Sequence, residues 1–331
     1  MNPFVSVITP VYNTGETLEP YLKAVFSSTY TDFELIIIDD CSLINPCELL
    51  KGYNLIYHRS EVRQGSFHAR QIGAAMAKGR ILLFIDADVI IYSDTIAKIV
   101  SVFNENDGIA GLICSYDDAP AAMNTISQFK FLYHHYIHQH EKEYVRSFWT
   151  GCGAIKKSVF DQIEGFKHSC LAGFDPIKDI ELGYKLTQHH FKIYNAKHIQ
   201  VKHLKSLDFT EWVRTDIFNR GIPWINILLV YKDFKPNLNI NIKSYLSVLS
   251  VTGVLISIPL ILLNHYFLTV WLLFAVSFFL LNVKIIQFFR VKKGLMFSLK
   301  STILLFVYYF NCIVCVVLGF LLSKKSQLEN G

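Results

Sequence analysis

The sequence predicts an α/β protein with a mostly parallel, Rossmann-like sheet, followed by long apolar helices. Three observations carry this. Apolar runs in the first third end in polar or aromatic residues, segments with helical spacing separate them, and uncharged runs fill the last quarter. Alternating strand and helix patterns imply βαβ units and a parallel sheet. Of 331 residues, 52% are apolar, enough for a core well beyond one small domain.

The first strand is read at residues 4–13, ending in Thr9-Pro-Val-Tyr-Asn13. A helix follows over 17–28, with Leu18, Leu22, Val25 and Phe26 at helical spacing. The next strand, 33–42, runs into Asp39 and Asp40. A small, Ala-rich helix over 66–78 can be capped by Gly79. The strand at 80–88 then carries five apolar residues straight into Asp86 and Asp88. Such a run reads as a buried central strand. Open α/β sheets bind ligands beyond the carboxyl ends of their strands. Two carboxylates gathered there repel each other unless a cation joins them. An oxygen-only pair suits Mg²⁺ or Mn²⁺, completed by waters and phosphate oxygens. The pattern therefore points to a divalent metal carrying a diphosphate. Asp-X-Asp alone is also a common loop opening, and the repeated strand ends are what weigh against that reading.

These motifs, in order, are Thr9-Pro-Val-Tyr-Asn13, Ile38-Asp-Asp-Cys-Ser42, Gly65-Ser-Phe-His-Ala-Arg-Gln-Ile-Gly73 and Phe84-Ile-Asp-Ala-Asp88. Further on come Thr150-Gly-Cys-Gly-Ala-Ile-Lys-Lys-Ser-Val-Phe160 with Ile163-Glu-Gly-Phe166, and Lys178-Asp-Ile-Glu-Leu-Gly-Tyr-Lys-Leu186. Together they resemble the family 2 glycosyltransferases of the GT-A fold over roughly residues 4–205. The resemblance implies an inverting sugar transfer from a nucleotide-diphosphate sugar, with uridine diphosphate the family-weighted nucleotide. It implies that Asp40 accepts from the base, supported by Asp39, and that Tyr12 beside Pro10 gives a stacking face. Asp86 would hold the ribose or metal waters, Asp88 the metal, and Arg70 would reach a phosphate. Asp179 would be the base that deprotonates the acceptor. His203 is a further candidate metal or phosphate contact, set against a satisfied interfacial histidine. Trp149 and Gly151 belong to the acceptor side. Two positions depart from the family: Cys41 replaces a small residue, mostly Gly, and Lys178 replaces the Glu before the catalytic Asp.

Residues 244–263, 266–289 and 301–322 are each long enough to cross a bilayer core, which takes roughly 20 helical residues. Lys232, Lys235 and Lys243 precede the first, and Arg290, Lys292, Lys293 and Lys300 join the last two. Positive loops stay in the cytoplasm, so the catalytic part is expected there, anchored at the cell's inner membrane. Lys324 and Lys325 in the 323–331 tail run against the rule but are outnumbered. No secretory signal is read at the N-terminus. The scattered cysteines suit a reducing compartment, and Cys312 with Cys315 reads as packing inside an apolar run. A net charge of +5 without a Lys/Arg and aromatic groove gives no case for nucleic acid.

The domain plan is thus a catalytic domain at 1–205, an interfacial segment at 206–243, and the apolar helices. Within 208–231, Phe209, Trp212, Val213 and Ile217 share a helical face, which reads as a helix lying on the bilayer with Trp212 and Trp224 at headgroup depth, interrupted at Pro223. The competing reading is an ordinary helix packed on its neighbours. The amphipathic stretch 122–145 carries His134 and His138 at i, i+4, but nothing nearby completes a metal site. Arg220-Gly-Ile-Pro-Trp224 resembles, poorly, the Gln-x-x-Arg-Trp segment of processive synthases, which places Arg220 and Trp224 on the acceptor side. Single transfer to a lipid-linked or membrane-associated acceptor is the favoured expectation. A polyprenyl-phosphate sugar synthase and a short-chain processive synthase follow it. A non-catalytic scaffold that binds nucleotide sugar is the alternative of another class.

Overall fold

The computed structural model describes residues 4–169, 177–235 and 241–329. It divides into two compact units, 1–122 with 138–205, and 123–137 with 206–331.

In the first unit β1 (Val5–Val11) leads through α1 (Leu18–Phe26) to β2 (Phe33–Asp39), and through α2 (Cys47–Leu50) to β3 (Ile56–Arg59). Then α3 (Ser66–Met76) precedes β4 (Ile81–Ile85). These four strands lie in the order β3-β2-β1-β4 and are all parallel. The side chains of β1, β2 and β4 are mostly apolar and buried, as expected of strands covered on both faces, whereas the edge strand β3 is half-buried. The rest of the sheet is mixed. The short β5 (Val89–Ile91) is followed by α4 (Thr95–Glu105) and β6 (Gly111–Tyr116), and α5 (Thr125–His140) runs from one unit into the other. After β7 (Tyr144–Val145) come β8 (Cys152–Lys156), α6 (Lys157–Gln162), α7 (Lys178–Gln188) and β9 (Ile193–His203). Strand β8 is antiparallel to both β4 and β6, β9 is parallel to β6, and β5 and β7 are antiparallel to β9. The mostly parallel expectation therefore describes the N-terminal half of the sheet.

Gly79 does not cap α3, which ends at Ala77 in extended conformation. Instead its amide donates to Ser6 Oγ at 2.8 Å, and a Cβ there would lie 2.6 Å from the Ser6 backbone nitrogen. The glycine is needed for space against β1.

The second unit is helical. After α8 (Phe209–Arg214) a π-helical turn, Thr215–Gly221, passes into α9 (Ile222–Tyr231). Asp208 caps α8 by accepting from the Glu211 amide at 2.8 Å. Pro223 does not interrupt this run. It sits in the first turn of α9, where a missing N–H costs nothing. Trp212 is also not at a surface. It is 1% exposed and packs with Phe129, Leu132, Phe289 and Leu305. Its indole N–H donates to Asp216 Oδ2 at 2.7 Å. Within the apolar stripe, Trp212 and Ile217 are buried, while Phe209 is half exposed.

Two long apolar helical elements follow, α10 (Ile242–Leu263) and α11 (Phe267–Glu329), both long and apolar enough to cross a membrane. Helix α11 breaks at Gly294, whose φ of 83° is left-handed. There the chain turns back on itself: Ser298 Oγ donates to the Ile286 carbonyl at 2.9 Å, and Tyr309 Oη to Asn282 Oδ1 at 3.2 Å. The three apolar segments read from the sequence are thus α10 and the two arms of α11. Residues 236–240 of the expected linker, and the side chains of Lys324 and Lys325, lie outside the described parts.

Candidate active site

The pairing of β1 with β4 ends at Ile8 and Phe84, while β1 remains paired with β2 as far as Val11 and Asp39. The sheet therefore opens between the carboxyl ends of β1 and β4. Strands β2 and β4 lie on opposite sides of β1, so the strand order reverses there, the switch point where open sheets bind ligands. Pro10 is tolerated on β1 because β4 no longer needs a donor at that point.

Asp39 ends β2 and Asp40 follows it, and both are buried. Asp39 accepts from the Ser42 amide at 2.9 Å, Tyr57 Oη at 3.1 Å and Arg59 Nη1 at 2.9 Å. Asp40 accepts from the Gln64 amide at 2.8 Å and the Gly65 amide at 2.7 Å, one on each oxygen. The pair fastens two loops to the sheet edge. Cys41, the departure from the family's small residue, has a φ of 63°. That left-handed conformation explains why glycine suits the position, and a side chain there costs about 1–2 kcal/mol. The loop that Asp40 holds presents Arg63, whose guanidinium lies 4.0 Å above the Tyr12 ring. Arg59, Arg63 and Tyr57 were not singled out from the sequence. Only their spacing to Gly65 and to the paired aspartates was visible there.

Beyond β4, Asp86 and Asp88 are each about one-third exposed, at 33% and 31%. Arg70, buried on α3, donates to Asp86 and to Ser66 Oγ. The guanidinium turns inward to the acid, so its direct partner is Asp86. Desolvation raises the Asp86 carboxyl above the ordinary range, Arg70 opposes this, and Asp88 adds to it. Desolvation raises Asp88 too, against the pull of Lys205 and Arg70. Two carboxylates that would each rather be neutral, with oxygens as their donor atoms, suit a hard divalent cation that takes few protein ligands. No group of three His, Cys, Asp or Glu side chains gathers among the described residues, so such a cation would draw its other ligands from water and phosphate.

His203 closes this edge through β9 and β5. Its Nε2 is 3.7 Å from Asp88 Oδ1, and its ring stands edge-on to Tyr116 at 5.0 Å. Nδ1 accepts from the Lys205 amide at 3.0 Å. A neutral imidazole has one acceptor nitrogen, and here it is used. Nε2 then carries the proton and faces Asp88 as a donor. His203 therefore stands at the same edge as Asp88, with Nδ1 already bonded and Nε2 toward the acid.

Asp179 sits in the first turn of α7, where the helix dipole favours a negative charge. It accepts from the Ile180 amide at 2.9 Å and the Thr150 amide at 3.3 Å. Helix α7 reaches this position because Gly183 lets it close on the 146–148 backbone; a Cβ there would lie 2.4 Å from the Arg146 carbonyl oxygen. Desolvation raises the Asp179 carboxyl, Arg70 opposes it, and Asp86 acts with it. Asp86, Asp88, Asp179 and Arg70 are therefore one electrostatic cluster. Trp149 lies over Gly151, where a Cβ would come within 2.5 Å of the indole, and packs edge-on to Tyr116 at 4.6 Å. Arg220 and Trp224 belong to the helical unit and are described below.

A mixed sheet open at the β1–β4 switch point, with Asp-X-Asp beyond β4 and an acid on α7, is the GT-A class of nucleotide-diphospho-sugar transferase fold. The structure resembles the mannosyltransferase PcManGT from Pyrobaculum calidifontis in complex with GDP-Man and Mn²⁺, with a TM-score of 0.60 and 15% identity, over 96% of this chain and 88% of that one. It resembles S. aureus TarS 1–349 in complex with UDP-GlcNAc with a TM-score of 0.51 and 16% identity, over 70% and 65%. At these identities the likeness shows fold. Residues 6–164 match the model of glycosyl transferase family 2, so the chain carries a family 2 glycosyltransferase domain. Among relatives, the glycosyltransferase GlyG of Streptococcus pneumoniae is 28% identical over 36% of this chain and 42% of its own length. AglE of Haloferax volcanii is 38% identical over 26% and 31%, and the putative teichuronic acid biosynthesis glycosyltransferase TuaG of Bacillus subtilis is 35% identical over 26% and 36%. The matched stretches span well under half the length of these relatives.

Proposed function

We propose that this chain is an inverting glycosyltransferase. It moves a sugar from a nucleoside-diphosphate donor, UDP-linked in the first instance, to a lipid-linked or membrane-associated acceptor in cell-surface glycan assembly. The observation that carries this reading is the placing of Asp86, paired with Arg70, and Asp88 beyond β4, with Asp179 tied to Thr150 next to Gly151, whose carbonyl accepts from the Asp86 amide. The two fold neighbours are in complex with GDP-Man and UDP-GlcNAc, and the relatives are named glycosyltransferases, which supports the donor class.

Tyr12, with Arg63 above it, and Pro10 line the base end of the pocket, and Asp39 and Asp40 hold the loops that shape it. Asp88, with Asp86 beside it, would hold Mg²⁺ or Mn²⁺. When bound, that ion supplies positive charge to the leaving diphosphate. Arg70 keeps Asp86 oriented. Asp179 takes the acceptor proton as that hydroxyl attacks the anomeric carbon opposite the departing diphosphate. The bond from carbon to the phosphate oxygen breaks as the new glycosidic bond forms, so no covalent sugar–protein intermediate is needed. Trp149, held against Gly151, offers an aromatic face for the acceptor. The apolar helices α10 and α11 support a membrane location, with the positive 290–300 turn and the catalytic unit in the cytoplasm. The scaffold reading rests on Lys178 in place of an acid, and the retained Asp179 weighs against it.

The test is thermal shift of the full chain with UDP and GDP, with and without Mn²⁺, followed by sugar release from the donor that binds. Stabilisation by a nucleoside diphosphate that grows with Mn²⁺ and disappears in Asp88→Ala is expected. Equal turnover in EDTA would remove the metal role, and no response to any nucleoside diphosphate would remove the donor.

A further inference from the structure

The helical unit buries a pair of opposite charges. Lys130 Nζ donates to both oxygens of Asp216, at 2.6 and 2.7 Å, and the two side chains are only 6% and 7% exposed. Trp212 Nε1 adds a third donor to the same carboxylate. Charges inside an apolar helical unit are costly and mark functional positions more often than packing ones. Asp216 also lies on the π-helical turn Thr215–Gly221, an irregularity often found at functional sites.

The same turn ends in Arg220, whose side chain is 46% exposed. Its Nη1 is 4.0 Å from Asp216 Oδ1 and 3.4 Å from His134 Nε2. Arginine only donates, so His134 Nε2 is the acceptor in that contact. Lys130 and Asp216 cancel, which leaves the Arg220 charge in excess. One turn further on, Trp224 Nε1 is buried and has no hydrogen-bond partner among the described residues. Residues four apart on a helix are neighbours on its surface. An exposed guanidinium and, four residues further along the same helical run, a buried indole N–H thus share one stretch of helix surface.

We propose that Arg220 and Trp224 form an anion site for a phosphate or diphosphate ester, with Asp216, fixed by Lys130 and Trp212, and His134 as positioning residues. A guanidinium matches the spacing of phosphate oxygens, and the orphan N–H takes one more. The phosphate can be that of a membrane lipid or a soluble one. That it belongs to the acceptor's lipid carrier rests on the acceptor reading given above; the anion site itself does not.

The test uses the full chain in dodecyl maltoside micelles, which contain no phosphate. Dodecyl phosphate is titrated by calorimetry, with inorganic phosphate in parallel. Saturable binding of dodecyl phosphate is expected, weakened at least about tenfold in Arg220→Gln and about threefold in Trp224→Phe, which keeps the ring and loses the N–H. Arg220 is exposed, so its variant should keep the wild-type melting temperature. Far weaker binding of inorganic phosphate identifies a lipid-borne ligand. Equal binding, equally sensitive to Arg220→Gln, supports the site with a soluble ligand. No saturable binding of either probe, or binding unchanged in both variants, overturns the proposal. Asp88→Ala should bind dodecyl phosphate like wild type, so a failure of the donor reading and a failure of this site are told apart.

Discussion

The two units handle ionised groups in opposite ways. In the sheet unit the acids stand at strand ends, and Asp86 and Asp88 remain a third exposed, with Arg70, Lys205 and His203 to offset them. In the helical unit the acid is sealed in, and Asp216 has Lys130 and Trp212 fixed on its oxygens. Acids left short of positive charge can take up a cation or a proton during a reaction. An acid already saturated can only hold its neighbours in place. The comparison separates groups that exchange partners from groups that fix geometry, and substitutions in each should fail differently.

The largest effect is expected at Asp88. Asp88→Ala should drop sugar transfer by more than about 10³-fold and abolish the response of nucleotide binding to Mn²⁺, while the melting temperature without ligand stays within a few degrees. A large loss of stability instead would place Asp88 with the groups that fix geometry.

Asp179 comes next. Asp179→Asn keeps size and removes basicity, so the rate should fall roughly 10²–10⁴-fold with donor affinity nearly unchanged. The wild-type pH profile sharpens this. Desolvation raises the Asp179 carboxyl above its usual 3.8. A raised carboxyl holds its proton to higher pH, so the base form, and the rate, are lost as pH falls through that raised value. The acid limb should lie above the ordinary aspartate range and vanish in Asp179→Asn.

Lys130→Met tests the sealed pair. It leaves Asp216 buried with its charge uncompensated, and should cost about 3–5 kcal/mol in denaturation of the full chain. Lys130→Met with Asp216→Leu should recover most of that, because an apolar pair of similar volume needs no compensation. Additive losses would show that the pair is more than a matched couple.

Legibility in the sequence follows the same divide. Asp39, Asp40, Asp86 and Asp88 could be read because each ends an apolar strand, and strand ends define the sheet edge. What each acid touches could not be read. The inward turn of Arg70 and the tautomer of His203 depend on neighbours brought in from other elements, such as the Lys205 amide. In the helical unit an apolar stripe is the same pattern whether it meets lipid or protein, so Trp212 was placed at a surface while it lies in a core. Lys130 and Asp216 are 86 positions apart, and neither residue carries a local sign of its partner. The antiparallel half of the sheet escaped for a similar reason, since β5 and β7 have only three and two residues.

The smallest effect separates two glycines of the helical unit. Gly253 is needed for space: a Cβ there would lie 2.4 Å from the Phe274 ring. Gly294 is needed for conformation: its φ is +83° and no atom of the described residues lies within 4 Å of an added Cβ. Gly294→Ala should therefore cost only the backbone penalty of this glycine-only region, φ 83° and ψ 178°, about 1–3 kcal/mol, leaving transfer and phosphate binding unchanged. Gly253→Ala should cost more, because a ring packed between helices must shift. The two melting temperatures, measured side by side, check the ranking. If Gly294→Ala proved the more damaging, the reversal between the arms of α11 would be held by more than one residue's left-handed backbone. The helical unit would then be as sensitive at its turn as the sheet unit is at its edge.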